Sequence, residues 1–133
     1  ADPEGVRARD ILRRSPADPA ARQVMGRALL KNGRPGRATA YFLSVLQGEE
    51  AQVERWLDVA RAFQADGQMQ QAIAALEAGL RVDPQSLEGW LLYAELAQAL
   101  GSADIAQEAA GVARQLAPDD PRASTYLPVS VPR

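Results

Sequence analysis

Apolar residues are spaced along this chain in a way that predicts pairs of amphipathic helices. In one segment they stand at i, i+3, i+4 and i+7, the spacing of one helix face: Trp56, Val59, Ala60 and Phe63. Gly67 follows, and glycine adopts the left-handed conformation past a helix end at little cost. A second apolar stripe occupies residues 72–80. The pattern therefore predicts two helices joined by a turn at Gly67. The four apolar residues of the first stripe are expected to lie in the core.

The same pattern recurs every 34 residues. Glycines stand at this interval, and an alanine follows each of them five residues later: Gly33, Gly67 and Gly101, with Ala38, Ala72 and Ala106. Self-similarity at this period is typical of helix-turn-helix repeat arrays.

Two 34-residue segments, 53–86 and 87–120, match each other at many positions. The matching residues of the first are Trp56, Val59, Ala60, Phe63, Gly67, Ala72, Leu76, Gly79 and Pro84. Those of the second are Trp90, Tyr93, Ala94, Ala97, Gly101, Ala106, Ala110, Ala113 and Pro118. These positions resemble the signature of the tetratricopeptide repeat family. Residues 19–52 are a looser copy, because Arg22 replaces a large apolar residue and Glu50 replaces the proline.

The resemblance implies an all-α fold in which antiparallel helix-turn-helix repeats stack in a right-handed α-solenoid. We expect repeat units at residues 19–52, 53–86 and 87–120. Residues 1–18 are expected to hold the second helix of a truncated preceding repeat, Glu4 to Arg14, so that the chain is interpreted as a fragment of a longer bacterial scaffold. Residues 121–133 are expected to form a C-terminal tail or linker.

Short local signals predict where individual helices begin. Asp18, Ser86 and Ser102 have side chains suited to capping a helix N-terminus, and Pro35 suits the first position of a helix.

The C-terminal residues 125–133 alternate apolar residues with polar residues and proline, which favours an extended strip. One hypothesis is that four of them cover the shallow face left by the alanines of the last helix: Tyr126, Leu127, Val129 and Val131. The alternative is a disordered linker to a following domain.

Composition argues against catalysis. The chain contains no histidine and no cysteine, which removes the commonest general base and the usual transition-metal ligands. We therefore predict no catalytic residues, no metal site and no cofactor. No segment has the run of apolar residues that a membrane span requires, so direct membrane insertion by this chain is not expected.

Charge is unevenly distributed. Residues 1–48 carry nine basic and four acidic side chains, a net of +5, whereas residues 49–133 carry six and thirteen, a net of −7. This gradient is interpreted as steering an oppositely charged partner or stacking copies head to tail, or as a solvated surface without a partner. Nucleic acid is not expected, because the overall balance is acidic and the basic end lacks interleaved aromatic residues.

In arrays that this chain resembles, the first helix of each unit lines a concave groove. Beside the core face of residues 56–63, the adjacent stripe consists of Leu57, Arg61 and Gln64. Translation by 34 residues gives two further sets: Gln23, Arg27 and Leu30, and Leu91, Glu95 and Gln98. We predict that these nine residues bind a protein or peptide, the arginines through carboxylates. The alternative is that they are ordinary exposed residues.

One family function is disfavoured at two positions. Family members that clamp the acidic C-terminus of heat-shock chaperones carry asparagine or lysine where this chain has Asp58 and Glu88. Both carboxylates are expected to repel a terminal carboxylate.

The predicted function is a non-catalytic scaffold for protein–protein interaction. Fourteen arginines against a single lysine suggest a GC-rich bacterial coding sequence. Together with the resemblance, this suggests an envelope assembly such as exopolysaccharide export, secretion or pilus biogenesis. The compartment stays open, with the bacterial periplasm or envelope favoured over the cytoplasm. Two alternatives are a self-associating structural array and a regulatory domain of a larger enzyme.

Overall fold

Helices form all the regular secondary structure in the residues that the computed structural model describes, 3–46 and 52–128. They are α1 (Pro3–Arg14), α2 (Pro19–Lys31), α3 (Pro35–Ser44), α4 (Val53–Ala65), α5 (Met69–Val82), α6 (Leu87–Ala99), α7 (Ala103–Leu116) and a 3₁₀-helix (Pro121–Tyr126). The predicted all-α fold is confirmed. Among these helices, none is both long enough and apolar enough to cross a bilayer.

The helices follow the 34-residue period of the sequence. Helices α2, α4 and α6 each begin 34 residues after the previous one, and so do α3, α5 and α7. Gly33, Gly67 and Gly101 have φ angles of 74°, 76° and 79°, the left-handed conformation predicted for the turns. After the last of them, the amide of Ser102 donates to the carbonyl of Ala97 at 2.8 Å, which closes the end of α6.

Most of the predicted helix starts are confirmed. The Asp18 carboxylate accepts a hydrogen bond from the amide of Ala21, and the Ser86 hydroxyl accepts one from Gly89. Pro35 is the first residue of α3. The prediction for Ser102 is wrong, because its side chain makes no capping bond. Its ψ of 73° departs from the extended backbone, which at Ser86 has a ψ of 107°.

The chain divides into two compact units, residues 1–79 and residues 80–133. In unit 1, α2 packs against α1, α3 and α4, and α3 also packs against α4. Its largest fully buried side chains are Phe42, Leu76 and Val59. Gly26 of α2 lies directly against the Phe42 ring, so the absence of a side chain there allows α2 and α3 to approach closely.

Unit 2 is built around α6 and α7, and the 3₁₀-helix packs against both. Its core consists mainly of small residues: Leu91, Ala94, Ala109, Ala110, Ala113 and Ala123. Tyr126 and Leu127 pack against this core, which agrees at these two residues with the hypothesis of a covering tail.

The predicted extended strip is wrong at Thr125 and Tyr126, which belong to the 3₁₀-helix. Asp120 caps this helix by accepting a hydrogen bond from the amide of Arg122, and Pro121 opens it, so the local sequence favours a helical turn. Val129 and Val131 lie outside the described residues.

Candidate binding site

A buried carboxylate joins α2 to α4 within unit 1. Asp58 is only 9% exposed. Its Oδ2 accepts hydrogen bonds from Gln23 Nε2 and from Arg27 Nε and Nη2, the last two at 3.2 and 3.0 Å. Arg61 Nη1 lies 3.8 Å from the other carboxylate oxygen, Oδ1. We call these four residues the Asp58 cluster. Two guanidinium groups thus share one carboxylate, which leaves the cluster with a net positive charge.

The two arginines of the Asp58 cluster remain accessible although the carboxylate is covered. The side chains of Arg27 and Arg61 are 57% and 40% exposed, against 12% for Asp58. A guanidinium group carries five N–H donors, and Asp58 occupies only some of them. The outer donors can therefore form paired hydrogen bonds with a second carboxylate, one supplied by another molecule.

One atom of the Asp58 cluster is not satisfied within the described residues. Gln23 Oε1 is buried and accepts no hydrogen bond there. An unpaired buried acceptor costs about 1–3 kcal/mol, and such costs concentrate at functional sites.

Repeat spacing explains how the cluster forms. Asp58 follows Gln23 by 35 residues and Arg27 by 31. The first interval is one 34-residue period plus one residue, and the second is one period minus three residues. Residues separated in this way lie on α2 and α4, where their side chains meet. Sequence reasoning missed Asp58 as a member of the site, although this near-period spacing is a signal that identifies it.

Three of the nine predicted groove residues do not offer an exposed surface, and the prediction is corrected for them. Gln23, Leu57 and Leu91 are 8%, 2% and 8% exposed. Gln23 turns towards Asp58, and Leu91 packs into the alanine core of unit 2. Leu57 is covered because α4 buries a broad part of its surface.

The core stripe predicted for α4 is also only partly right. Val59 and Ala60 are buried, whereas Trp56 and Phe63 are partly exposed. Leu57 and Ala62, outside that stripe, are almost completely covered. A helix with neighbours on more than one side buries more than a single stripe.

The other six predicted residues stay predictions as partner contacts. In unit 1, Arg27 and Arg61 come together at Asp58, while Leu30 and Gln64 are partly exposed on α2 and α4. In unit 2, Glu95 and Gln98 are exposed on α6.

The expected repulsion of a terminal carboxylate has to be revised. Asp58 is compensated by two arginines, and in unit 2 Glu88 is paired with Arg122 at 2.8 Å. Asp58 therefore no longer argues against a partner with an acidic C-terminus, whereas Glu88 shares Arg122 with Asp120 and keeps its expected effect.

A second ionic cluster fastens the 3₁₀-helix to α6 in unit 2. Arg122 Nε lies 3.1 Å from both oxygens of Asp120, and Nη1 donates to Glu88 Oε2 at 3.0 Å. The hydrogen bonds from the Arg122 side chain and amide lower the pKa of Asp120 below its ordinary value. The two carboxylates raise the pKa of Arg122 in turn. Since its donors are largely engaged, Arg122 has a structural role.

The helix pairs and their 34-residue spacing define an all-α helical-repeat protein. A family model described as tetratricopeptide repeat matches residues 53–96, which contain α4, α5 and most of α6. The resemblance seen in the sequence is thereby confirmed, with the family model covering 44 of the 133 residues. A search of curated protein sequences finds no match.

Solved structures share the fold at low sequence identity. The crystal structure of MamA superposes with a TM-score of 0.80 at 18% identity, covering 90% of this chain and 70% of that chain. The Yersinia enterocolitica type III secretion chaperone SycD, in complex with a peptide of the translocator YopD, gives 0.72 at 19%, covering 80% and 86%. The second TPR domain of human RPAP3, in complex with the HSP70 peptide SGPTIEEVD, gives 0.72 at 17%, covering 83% and 95%. At these identities the likeness shows the fold.

Proposed function

We propose that this chain is a non-catalytic interaction module that binds a partner protein or peptide through the exposed side of the Asp58 cluster. The observation that carries this proposal is the pairing of Arg27 and Arg61 with a single buried carboxylate. Two hydrogen bonds hold the Arg27 guanidinium group, Arg61 Nη1 lies 3.8 Å from the carboxylate, and the outer donors of both stay exposed. Fixed donors lose less conformational entropy on binding than free arginine side chains do. The ligand is a carboxylate, from an acidic side chain or a C-terminus.

Two structural relatives support peptide binding by this fold. SycD and the RPAP3 domain were both solved with a bound peptide, and the HSP70 peptide of the latter is rich in acidic residues. We extend this property to the present chain, with Leu30 and Gln64 as further contacts in unit 1. In unit 2, Glu95 is suited to a basic residue elsewhere in the partner.

We place the module in a bacterial envelope assembly, such as exopolysaccharide export, secretion or pilus biogenesis, in the periplasm or at the envelope. The support is the arginine-rich, lysine-poor composition and the likeness to a type III secretion chaperone. Nucleic acid is not among the proposed ligands, since the chain is acidic overall.

Self-association is the second candidate. Val6 and Ile11 on α1 are 47% and 45% exposed, and the basic and acidic parts of the chain complement each other. A molecular mass that rises with concentration, measured by light scattering, would favour this candidate. A catalytic domain elsewhere in a longer protein would instead favour a regulatory role.

Affinity capture from separate envelope and soluble lysates tests the proposal. The bait variant Arg27→Gln/Arg61→Gln keeps hydrogen-bond donors for Asp58 but removes both charges. The matched control, Arg81→Gln/Arg114→Gln, changes two exposed arginines that make no ion pair with described residues. We expect one identified protein to be retained by the wild type and the control and lost with the variant. Retention of the same proteins by all three baits would refute the proposal.

A further inference from the structure

Unit 1 contains an open cavity of about 550 Å³ between α1, α2 and α3, away from the Asp58 cluster. Its lining includes four arginines and two apolar residues of α2: Arg9, Arg13, Arg34, Arg37, Met25 and Leu29. Among residues 3–46 and 52–128, no acidic residue lines it. We call it the arginine cavity, and it shares no residue with the Asp58 cluster.

The positive charge of the arginine cavity is largely uncompensated. Arg9, Arg34 and Arg37 make neither an ion pair nor a side-chain hydrogen bond with any residue in 3–46 or 52–128. Arg13 has one partner, Asp10, at 3.5 Å, and both side chains are mostly exposed. Like charges around one concave surface repel each other and focus a positive potential there. An anion in the cavity relieves that repulsion.

The apolar part of the cavity narrows the choice of anion. Met25 is partly exposed and Leu29 beside it is almost fully buried, so the apolar surface on this side of the cavity comes mainly from Met25. A free inorganic anion gains nothing from such a surface, whereas an apolar side chain gains from leaving water. The volume of about 550 Å³ lies within the range of ordinary ligand pockets.

From this combination we propose that the arginine cavity is a second binding site, specific for an acidic protein segment that carries an apolar side chain between carboxylates. The apolar side chain contacts Met25 and Leu29, and the carboxylates pair with the guanidinium groups at the rim. This site goes beyond the function proposed for the Asp58 cluster and does not depend on it.

Fluorescence anisotropy with the full chain tests the site. The probe is a labelled synthetic peptide of glutamates around one leucine. We expect saturable binding that weakens about two- to fivefold with each of Arg9→Gln, Arg34→Gln and Arg37→Gln. Binding should also weaken when the leucine is replaced by serine, and when sodium chloride rises from about 0.05 to about 0.5 M.

Two controls separate this proposal from the previous one. Arg81→Gln/Arg114→Gln should bind the probe as the wild type does. The three cavity variants are also measured in the Arg27→Gln/Arg61→Gln background, where the Asp58 cluster no longer offers its charges to the probe, and they should weaken binding there by the same factors. Because the arginines concerned are exposed, we expect unchanged helical circular dichroism in every single variant. Unaltered affinity in the three cavity variants would overturn the proposal, as would equal affinity for the serine peptide. Displacement of the probe by inorganic phosphate or a mononucleotide at lower concentration than by unlabelled peptide would also overturn it.

Discussion

The guanidinium group of Arg27 donates two hydrogen bonds to one oxygen of Asp58, which lies 31 residues further along the chain. This contact ties α2 to α4 and leaves most of the arginine side chain in solvent. An exposed arginine held in place by a buried acid is a positioned donor, and the functional proposal rests on that arrangement.

The first prediction concerns the stability of this contact. Asp58→Ala should lower the free energy of unfolding by about 1–3 kcal/mol, because the buried Gln23 amide loses its acceptor and Arg27 and Arg61 lose the carboxylate between them. Urea denaturation followed by circular dichroism measures the change. Asp119→Ala, an exposed residue, is the control and should have little effect. Equal losses in the two variants would contradict the prediction.

The second prediction concerns the packing of α2 on α3. A Cβ atom at Gly26 would lie 2.6 Å from Cδ1 of Phe42, a fully buried ring without room to move. Gly26→Ala should therefore reduce stability by about 1–3 kcal/mol. Gly36→Ala is the matched control, since a Cβ there meets no atom within 4 Å. It should raise stability by about 0.5 kcal/mol, and similar results for both alanines would refute the packing account.

The third prediction concerns pH. The Arg122 side chain lowers the pKa of Asp120, so the ionised carboxylate binds its partner better in the folded protein than in the unfolded chain. The stabilisation is present above the ordinary pKa of 3.8 and is lost as pH falls through the lower, folded value.

The difference in melting temperature between wild type and Asp120→Asn should thus be largest near neutral pH and disappear in acid. For the control Asp119→Asn, the difference in melting temperature from the wild type should not change in this way with pH. If the wild type instead melts above Asp120→Asn by the same number of degrees at every pH in this range, the contact with Arg122 is not the source of the difference.

The fourth prediction concerns the packing of residues 126 and 127 against the alanines of α7. Tyr126 and Leu127 pack against the alanine core of unit 2, so Tyr126→Ala/Leu127→Ala should lower the free energy of unfolding by about 1–2 kcal/mol. Leu100→Ala, whose side chain is half exposed, should cost much less. Thermal unfolding measured by circular dichroism distinguishes the two. An unchanged melting temperature in the double variant would show that these contacts do not hold the 3₁₀-helix.

The features predicted correctly from the sequence are mostly local. Gly67 can be recognised as a turn because its left-handed conformation favours glycine, and Asp18 as a cap because its partner lies three residues away. The starts of α2 to α7 follow the 34-residue period. Ser102 shows the limit of this reasoning, since capping also depends on backbone angles that the residue type does not determine.

The binding surface was harder to predict because burial depends on distant neighbours. Leu57 and Arg61 lie on one helical stripe, yet one is buried and the other exposed. Asp58 seemed unfavourable for an acidic partner when its charge was considered alone. Its contacts with Arg27, on another helix, reverse that conclusion. Only the packing of α2 beside α4 reveals this compensation.

The most direct test of the central claim is a calorimetric titration of the captured partner against purified wild type and Arg27→Gln/Arg61→Gln. We expect a dissociation constant at least about tenfold larger for the variant, because the paired hydrogen bonds to a carboxylate are lost. Arg81→Gln/Arg114→Gln should match the wild type. Equal dissociation constants for all three proteins would show that the Asp58 cluster does not bind the partner.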